Sequence, residues 1–349
     1  MNSAVHWRSA LVGRFNGGLV MKRTIAWLTR LVIAFLALAA FAPESALAWG
    51  GEGHRIVARL AMQQIRREAP NDADAQRVLK MVYQAIGTGS NVTLESASVF
   101  PDIVRGKKPY IYADNWHFVS IPRAESHYDA ATQCRTEKTA PDGDCAVGGL
   151  EYFRKVVLEQ KGAANKKTLD ALSFIIHIVG DLHQPLHTSE DLSFIHKGKP
   201  GDRGGNYRPV CFLRVSQPGC TQILDGERKP KNLHAVWDKF MIIQSGKSED
   251  DYVSELDKRI RGLDDATVAA YLKGGPAEWA EEAHGLAVQA AYTSPLLKDT
   301  TVPHSHKYDD YFDVDAAYQG ANIKQVEEQL VKAAVRLAAY LRGIAHDMS

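Results

Sequence analysis

The sequence predicts an all-α fold: a single, mostly helical domain over residues 49–349, preceded by a signal peptide at 1–48. Apolar residues recur at helical spacing through most of 49–349. Strand-like alternation is confined to 110–120 and 207–215. With 349 residues, 45% hydrophobic and 24% charged, the chain can bury one large core. That composition excludes a disordered tail, a collagen-like fibre and a disulfide miniprotein.

Taken in order, Lys22, Arg23 and Arg30 precede an apolar run from Leu31 to Ala42, and Ala46-Leu47-Ala48 is a small-residue cleavage site. This is the pattern of an export signal, with Met21 as the start and 1–20 upstream of the translated chain. The run is too short for a comfortable membrane span. The mature chain then begins at Trp49 and is expected in the periplasm or outside the cell. Five basic residues and one acid fall within 1–48, so the formal net charge of +1 becomes 37 basic against 40 acidic residues. No basic field announces a nucleic-acid binder, and an anionic substrate must be attracted locally.

Helical periodicity covers 53–68, 72–86, 146–160, 168–183, 232–244, 265–296 and 322–345. In the last, Ile323, Val326, Leu330, Ala334, Leu337 and Leu341 form one stripe. Long polar loops are expected at 196–231 and 298–312, and such loops inside a compact domain are usually functional. The four cysteines of an exported chain favour disulfides. Sequence neighbours suggest Cys134–Cys145 and Cys211–Cys220, although spacing does not separate the three possible pairings, and no CxxC marks a cysteine zinc site.

The chemistry lies in polar residues placed among apolar ones. His177 and Asp181 share one face of the apolar segment 172–181. A buried carboxylate there needs compensation, either a hydrogen bond to the histidine or a metal ion. Pro185 turns the chain and can bring His187 back towards the same point. A second i,i+4 pair, His234 and Asp238, flanks Trp237. Asp102 and His117 each sit beside apolar residues, and each alone reads as a turn residue or a satisfied histidine. At the mature start, Trp49-Gly50-Gly51-Glu52-Gly53-His54 places a free α-amine five residues before an imidazole. Amine and carbonyl can chelate a metal as a five-membered ring, with His54 folding back; a frayed glycine-rich terminus is the alternative.

From Trp49 to the last helix, these motifs in this order resemble the zinc-dependent single-strand nucleases and 3′-nucleotidases of the S1/P1 family. The resemblance implies a cleft holding three zinc ions. One would take Asp102, His117, His177 and Asp181. A second would take the Trp49 amine and carbonyl, His54 and the other oxygen of Asp181, and a third would take His187, His234 and Asp238. It implies hydrolysis of single-stranded DNA and RNA at P–O3′ by a zinc-activated hydroxide, releasing 5′-mononucleotides, and removal of phosphate from 3′-mononucleotides. Asp102 would also orient the attacking water, Arg105 would face the scissile phosphate, Phe118 would stack on a base, and Asn206 would contact a base or shape its loop. Ser120 stands where fungal members carry a base-contacting acid, which alters the expected base preference. His183 lies off the 177/181 face and reads as a supporting or packing residue. A zinc-dependent phospholipase C shares the fold, but the close Trp49–His54 spacing, Asp238 in place of glutamate and the loop Gly201-Asp202-Arg203-Gly204-Gly205-Asn206 favour the nuclease. Zinc in a purely structural role is the other alternative; structural sites are usually closed by four protein ligands. The default oligomeric state is a monomer.

Overall fold

The computed structural model describes residues 49–212, 231–292, 312–314 and 316–349. The signal peptide expected at 1–48, the Cys211–Cys220 pairing and most of the two long loops lie outside these residues.

Helices dominate, as the periodicity predicts. In chain order they are α1 (Gly51–Glu68), α2 (Ala73–Ile86), α3 (Leu94–Val104), the short α4 (Ala130–Gln133), α5 (Ala146–Glu159) and α6 (Lys166–Asp181). They continue with α7 (233–244), α8 (Glu249–Arg261), α9 (Asp265–Tyr271), α10 (Pro276–Leu286) and the long α11 (Ala316–Asp347). Among the described residues no helix is long and apolar enough to cross a membrane.

The centre is α6. Asn165 caps it, its side chain accepting from Thr168 N at 2.9 Å, and every residue from Ala171 to Asp181 is buried. It packs between α3 and α5, while α11 lies along α1. The apolar stripe of α11, including Val326, Leu330, Ala334, Leu337 and Leu341, is fully or almost fully buried.

Two departures from the periodicity matter. The helix expected over 265–296 is split, because Gly274 adopts φ +75° and Gly275-Pro276 begins a new helix. The strand expected over 110–120 is instead a 3₁₀ turn (Tyr110–Ala113) followed by further turns. Its aromatics are claimed by packing: Trp116 lies 5.3 Å from Phe153 and 5.0 Å from Tyr152, centroid to centroid. Tertiary contacts here override β propensity.

Short strands set the loops of the site. Ile121–Pro122 pairs in parallel with Ser189–Glu190, joining the segment after His117 to the segment after His187. Pro209–Phe212 pairs with Lys231–Asn232, which delivers the chain to the start of α7. The Cys134–Cys145 disulfide is present and joins the end of α4 to the N-cap of α5.

Candidate metal centre

Eight predicted ligand side chains come from six segments of the chain and converge on the C-terminal end of α6. His54 lies in the first turns of α1, Asp102 near the end of α3, and His177 and Asp181 on α6. His117 follows the 3₁₀ turn at 110–113; His187 ends a second one, Pro185–His187. His234 and Asp238 lie on α7, whose wide π turn (Val236–Phe240) contains Asp238. All eight residues are at least 94% buried.

Asp181 is the hub. Its Oδ1 lies 3.3 Å from His54 Nε2, and its Oδ2 lies 3.3 Å from both His117 Nδ1 and His177 Nε2. Asp102 Oδ1 is 3.5 Å from His177 Nε2 and 3.6 Å from His117 Nδ1. At the second focus, Asp238 Oδ2 lies 3.3 Å from His234 Nε2, and Oδ1 lies 3.7 Å from His187 Nε2. Three groups have ligand atoms all within 4.8 Å of one another: His54, Asp102 and His177; His117, His177 and Asp181; and His187, His234 and Asp238. The third is the predicted set. The first two redistribute the ligands predicted for the other pair of ions, with His177 common to both.

Backbone carbonyls orient three of the imidazoles. Nδ1–H donates from His177 to Ser98 O (2.8 Å), from His187 to His117 O (2.6 Å) and from His234 to Gly204 O (2.7 Å). The Nε2 lone pair of each ring is thereby directed at the cluster, the arrangement that fixes tautomer in metal sites. His177 Nε2 then lies 3.0 Å from His117 Nδ1, and the oxygens of Asp102 and Asp181 accept no hydrogen bond. Buried acceptors converging without donors call for a cation, and nitrogen with carboxylate oxygen suits zinc.

The electrostatics agree. Burial, with help from neighbouring imidazoles and Arg105, holds His117 and His187 well below 6.5, and burial brings His234 to about 4. Burial pushes the carboxyls of Asp181 and Asp238 well above 3.8, with Asp102 adding to both. Without a cation, burial favours the neutral forms of His117, His187, His234, Asp181 and Asp238; a bound cation reverses the balance at the two carboxyls and expels their protons. Adding zinc to chelated protein near pH 6 is therefore expected to release about one to two protons per molecule. The release shrinks as pH rises and the carboxyls ionise unaided. Calorimetry in two buffers of different ionisation enthalpy measures this; heats independent of the buffer would contradict it.

The other predicted residues fall at the edge. Arg105 caps the end of α3, and its charge acts on His117, His187, His234, Asp181 and Asp238. The guanidinium lies 5.8 Å over the half-buried ring of Phe118. Ser120 is half-buried just ahead of Ile121–Pro122. Asn206 Nδ2 donates to Arg203 O at 2.8 Å, so in this structure its amide shapes the loop. The Trp49 indole is fully buried and donates to Gly180 O at 2.7 Å. His183 is a support: Nδ1–H donates to Val179 O (2.7 Å), and Nε2 accepts from Arg336 (3.0 Å). Burial first, then Arg336, holds it at about 3.

Gln184 is a participant that the sequence reading passed over. Fully buried, it donates to Asp238 Oδ1 and accepts from Leu186 N at 2.5 Å. It thus ties the His187 turn to the carboxylate of the same group. Its position directly before Pro185 was the available signal.

Comparison with known proteins agrees with this geometry. The family model for S1/P1 Nuclease matches residues 49–346. Endonuclease 5 of Arabidopsis thaliana is 27% identical over 86% of this chain and 92% of its own length. Nuclease S1 of Aspergillus oryzae is 24% identical over 86% and 93%, and Nuclease P1 of Penicillium citrinum 22% over 85% and 97%. With the family matched over nearly the whole described domain and its helices gathered on one buried His/Asp centre, the chain belongs to the S1/P1 nuclease family and is a nuclease, a hydrolase of nucleic acids.

Proposed function

We propose that this nuclease is exported, begins at Trp49 after removal of 1–48, and carries three zinc ions on Trp49, His54, Asp102, His117, His177, Asp181, His187, His234 and Asp238. Its substrates are single-stranded DNA and RNA, cleaved at P–O3′ to 5′-mononucleotides, and 3′-mononucleotides. The observation that carries the reading is the convergence of His177 Nε2 and His117 Nδ1 on the carboxylates of Asp102 and Asp181, whose buried oxygens have no hydrogen-bond partner. Bound zinc supplies charge neutralisation at phosphate and an acidified water at neutral pH.

The chain's own residues supply the rest. Asp102, almost fully buried beside His117 and His177, orients the attacking water. Arg105 holds the scissile phosphate and Phe118 stacks on a base; the 5.8 Å between guanidinium and ring centroid supports the two contacts serving one nucleotide. Stacking is tolerant of sequence and suits unpaired strands, whose bases are accessible.

The test uses protein matured to Trp49 with zinc content measured. It is incubated with denatured DNA, RNA, a 3′-mononucleotide and phosphatidylcholine, with and without chelator. Chelator-sensitive release of 5′-mononucleotides and inorganic phosphate is expected. Products ending in 3′-phosphate, or turnover of the lipid alone, would reject the proposal.

A further inference from the structure

Arg203 occupies a backbone conformation that its side chain disfavours. Its φ is +52°, and Gly204 (+59°) and Gly205 (+79°) continue the left-handed run. Glycine tolerates that region at little cost and arginine does not. Strain of this kind persists where the surroundings over-determine the backbone, and it concentrates at binding sites.

The surroundings do so here. Gly204 O accepts from His234 Nδ1 at 2.7 Å, and a Cβ at Gly204 would lie 2.2 Å from Leu186 O. On the other flank, Asp202 is fully buried and accepts from Arg208 Nε at 2.7 Å and the Tyr292 hydroxyl at 3.2 Å. The carbonyl of Arg203 itself accepts from Asn206 Nδ2 at 2.8 Å. The loop is fastened on both sides of Arg203, yet the side chain is exposed.

That side chain has weak company. Among the described residues its contacts are the Tyr207 hydroxyl at 3.5 Å and the Tyr207 ring at 5.8 Å. Among the described residues no carboxylate lies within ion-pair distance of it, whereas Arg208, five residues on, binds both Asp191 and Asp202. Arg203 is close enough for its charge to act on His234. Arg105 acts on both halves of the centre, so the scissile phosphate is already served.

We propose that Arg203 grips a phosphate next to the scissile one, so that the loop 201–206 favours a polymeric strand over a 3′-mononucleotide. A planar guanidinium suits bidentate phosphate contact. The proposal rests on the nuclease reading of the site given above.

The test compares zinc-loaded wild type with Arg203→Gly, Arg203→Gln and Arg203→Lys on a short oligothymidylate and on a 3′-mononucleotide. Glycine removes the cation while relaxing the strained backbone, and glutamine removes it while keeping the strain. Both are expected to raise KM for the oligonucleotide about ten-fold with kcat within about two-fold. The slope of log(kcat/KM) against log salt becomes shallower by about 0.7. The mononucleotide KM moves less than about two-fold, and lysine, which keeps the charge but not the bidentate fork, falls between wild type and glutamine on the oligonucleotide. Equal losses on both substrates, an unchanged salt slope, or a defect in glutamine but not glycine would overturn the proposal. Wild type that turns over neither substrate would instead overturn the reading beneath it.

Discussion

Replacing Asp181 by asparagine is expected to lower hydrolysis of single-stranded DNA by about 10³-fold or more, several kcal/mol of lost transition-state stabilisation. The same substitution should make the chelated protein more stable. Both follow from one position. Asp181 is fully buried, and its two oxygens lie 3.3 Å from His54 Nε2, His117 Nδ1 and His177 Nε2. In the proposed arrangement Asp181 would be a ligand shared between zinc sites, and the zinc would supply charge neutralisation and an acidified water. Without zinc, the same carboxyl is buried among imidazoles, and burial raises it well above 3.8.

The pH dependence of that stability has a definite sign. Below about 3.8, Asp181 is protonated whether folded or unfolded, so wild type and Asp181→Asn differ little. Above that value the unfolded chain sheds the proton while the folded chain retains it, and wild type loses stability as pH rises towards the raised folded value. The neutral amide escapes this penalty. At neutral pH the chelated variant should gain about 1–3 kcal/mol over chelated wild type. Denaturant titrations of both chelated proteins, with zinc per molecule before chelation, check the pair of claims. A chelated variant less stable than wild type would mean that Asp181 is a structural partner of these histidines, and the metal reading would lose its main support.

How much of this was legible depends on the range of the interaction. The pairs His177/Asp181 and His234/Asp238 were visible because helical spacing alone places them on one face, and the contacts, 3.3 Å in each pair, follow. The helices α3 and α8 escaped the periodicity, although both carried start signals. Thr93 and Ser96 form a capping box ahead of α3, as do Ser248 and Asp251 ahead of α8. In α3 the apolar pattern is short and interrupted by Pro101; in α8 Tyr252, Val253, Leu256 and Ile260 are buried at helical spacing that went unread. What sequence does not carry is the approach of distant backbone. The carbonyls of Ser98, His117 and Gly204 fix three imidazoles, and a carbonyl has no residue type by which to recognise it. Arg203 is a similar case, since its significance lies in a positive φ and in a neighbouring ring that tertiary packing supplies.

Adding a single residue ahead of Trp49 is expected to remove one zinc per molecule and to cost about 10²–10³-fold in activity. A free α-amine titrates near 8 and offers a lone pair to a metal. Acylated, the same nitrogen becomes a planar amide whose lone pair is delocalised and no longer available. The chemistry of the N-terminal site thus turns on one bond. The chain at Trp49 is packed rather than frayed: the indole is fully buried and bonded to Gly180 O, one residue before Asp181. Glycines make that approach possible. A Cβ at Gly53 would lie 2.9 Å from Trp49 Cβ, one at Gly180 2.8 Å from His54 Nδ1, and one at Gly50 2.6 Å from Lys239 Cβ. Such close packing holds Trp49 against Gly53 and Gly180, the sequence neighbours of His54 and Asp181. Protein beginning Met-Trp49 keeps every one of these side-chain contacts and alters only the nitrogen, so its melting temperature after chelation should match that of protein beginning at Trp49. Zinc content separates the outcomes. Two ions and a large loss of activity, both reversed when an aminopeptidase trims the methionine, would place the amine among the ligands. Three ions with full activity would remove Trp49 from the set, leaving its indole as packing beneath His54.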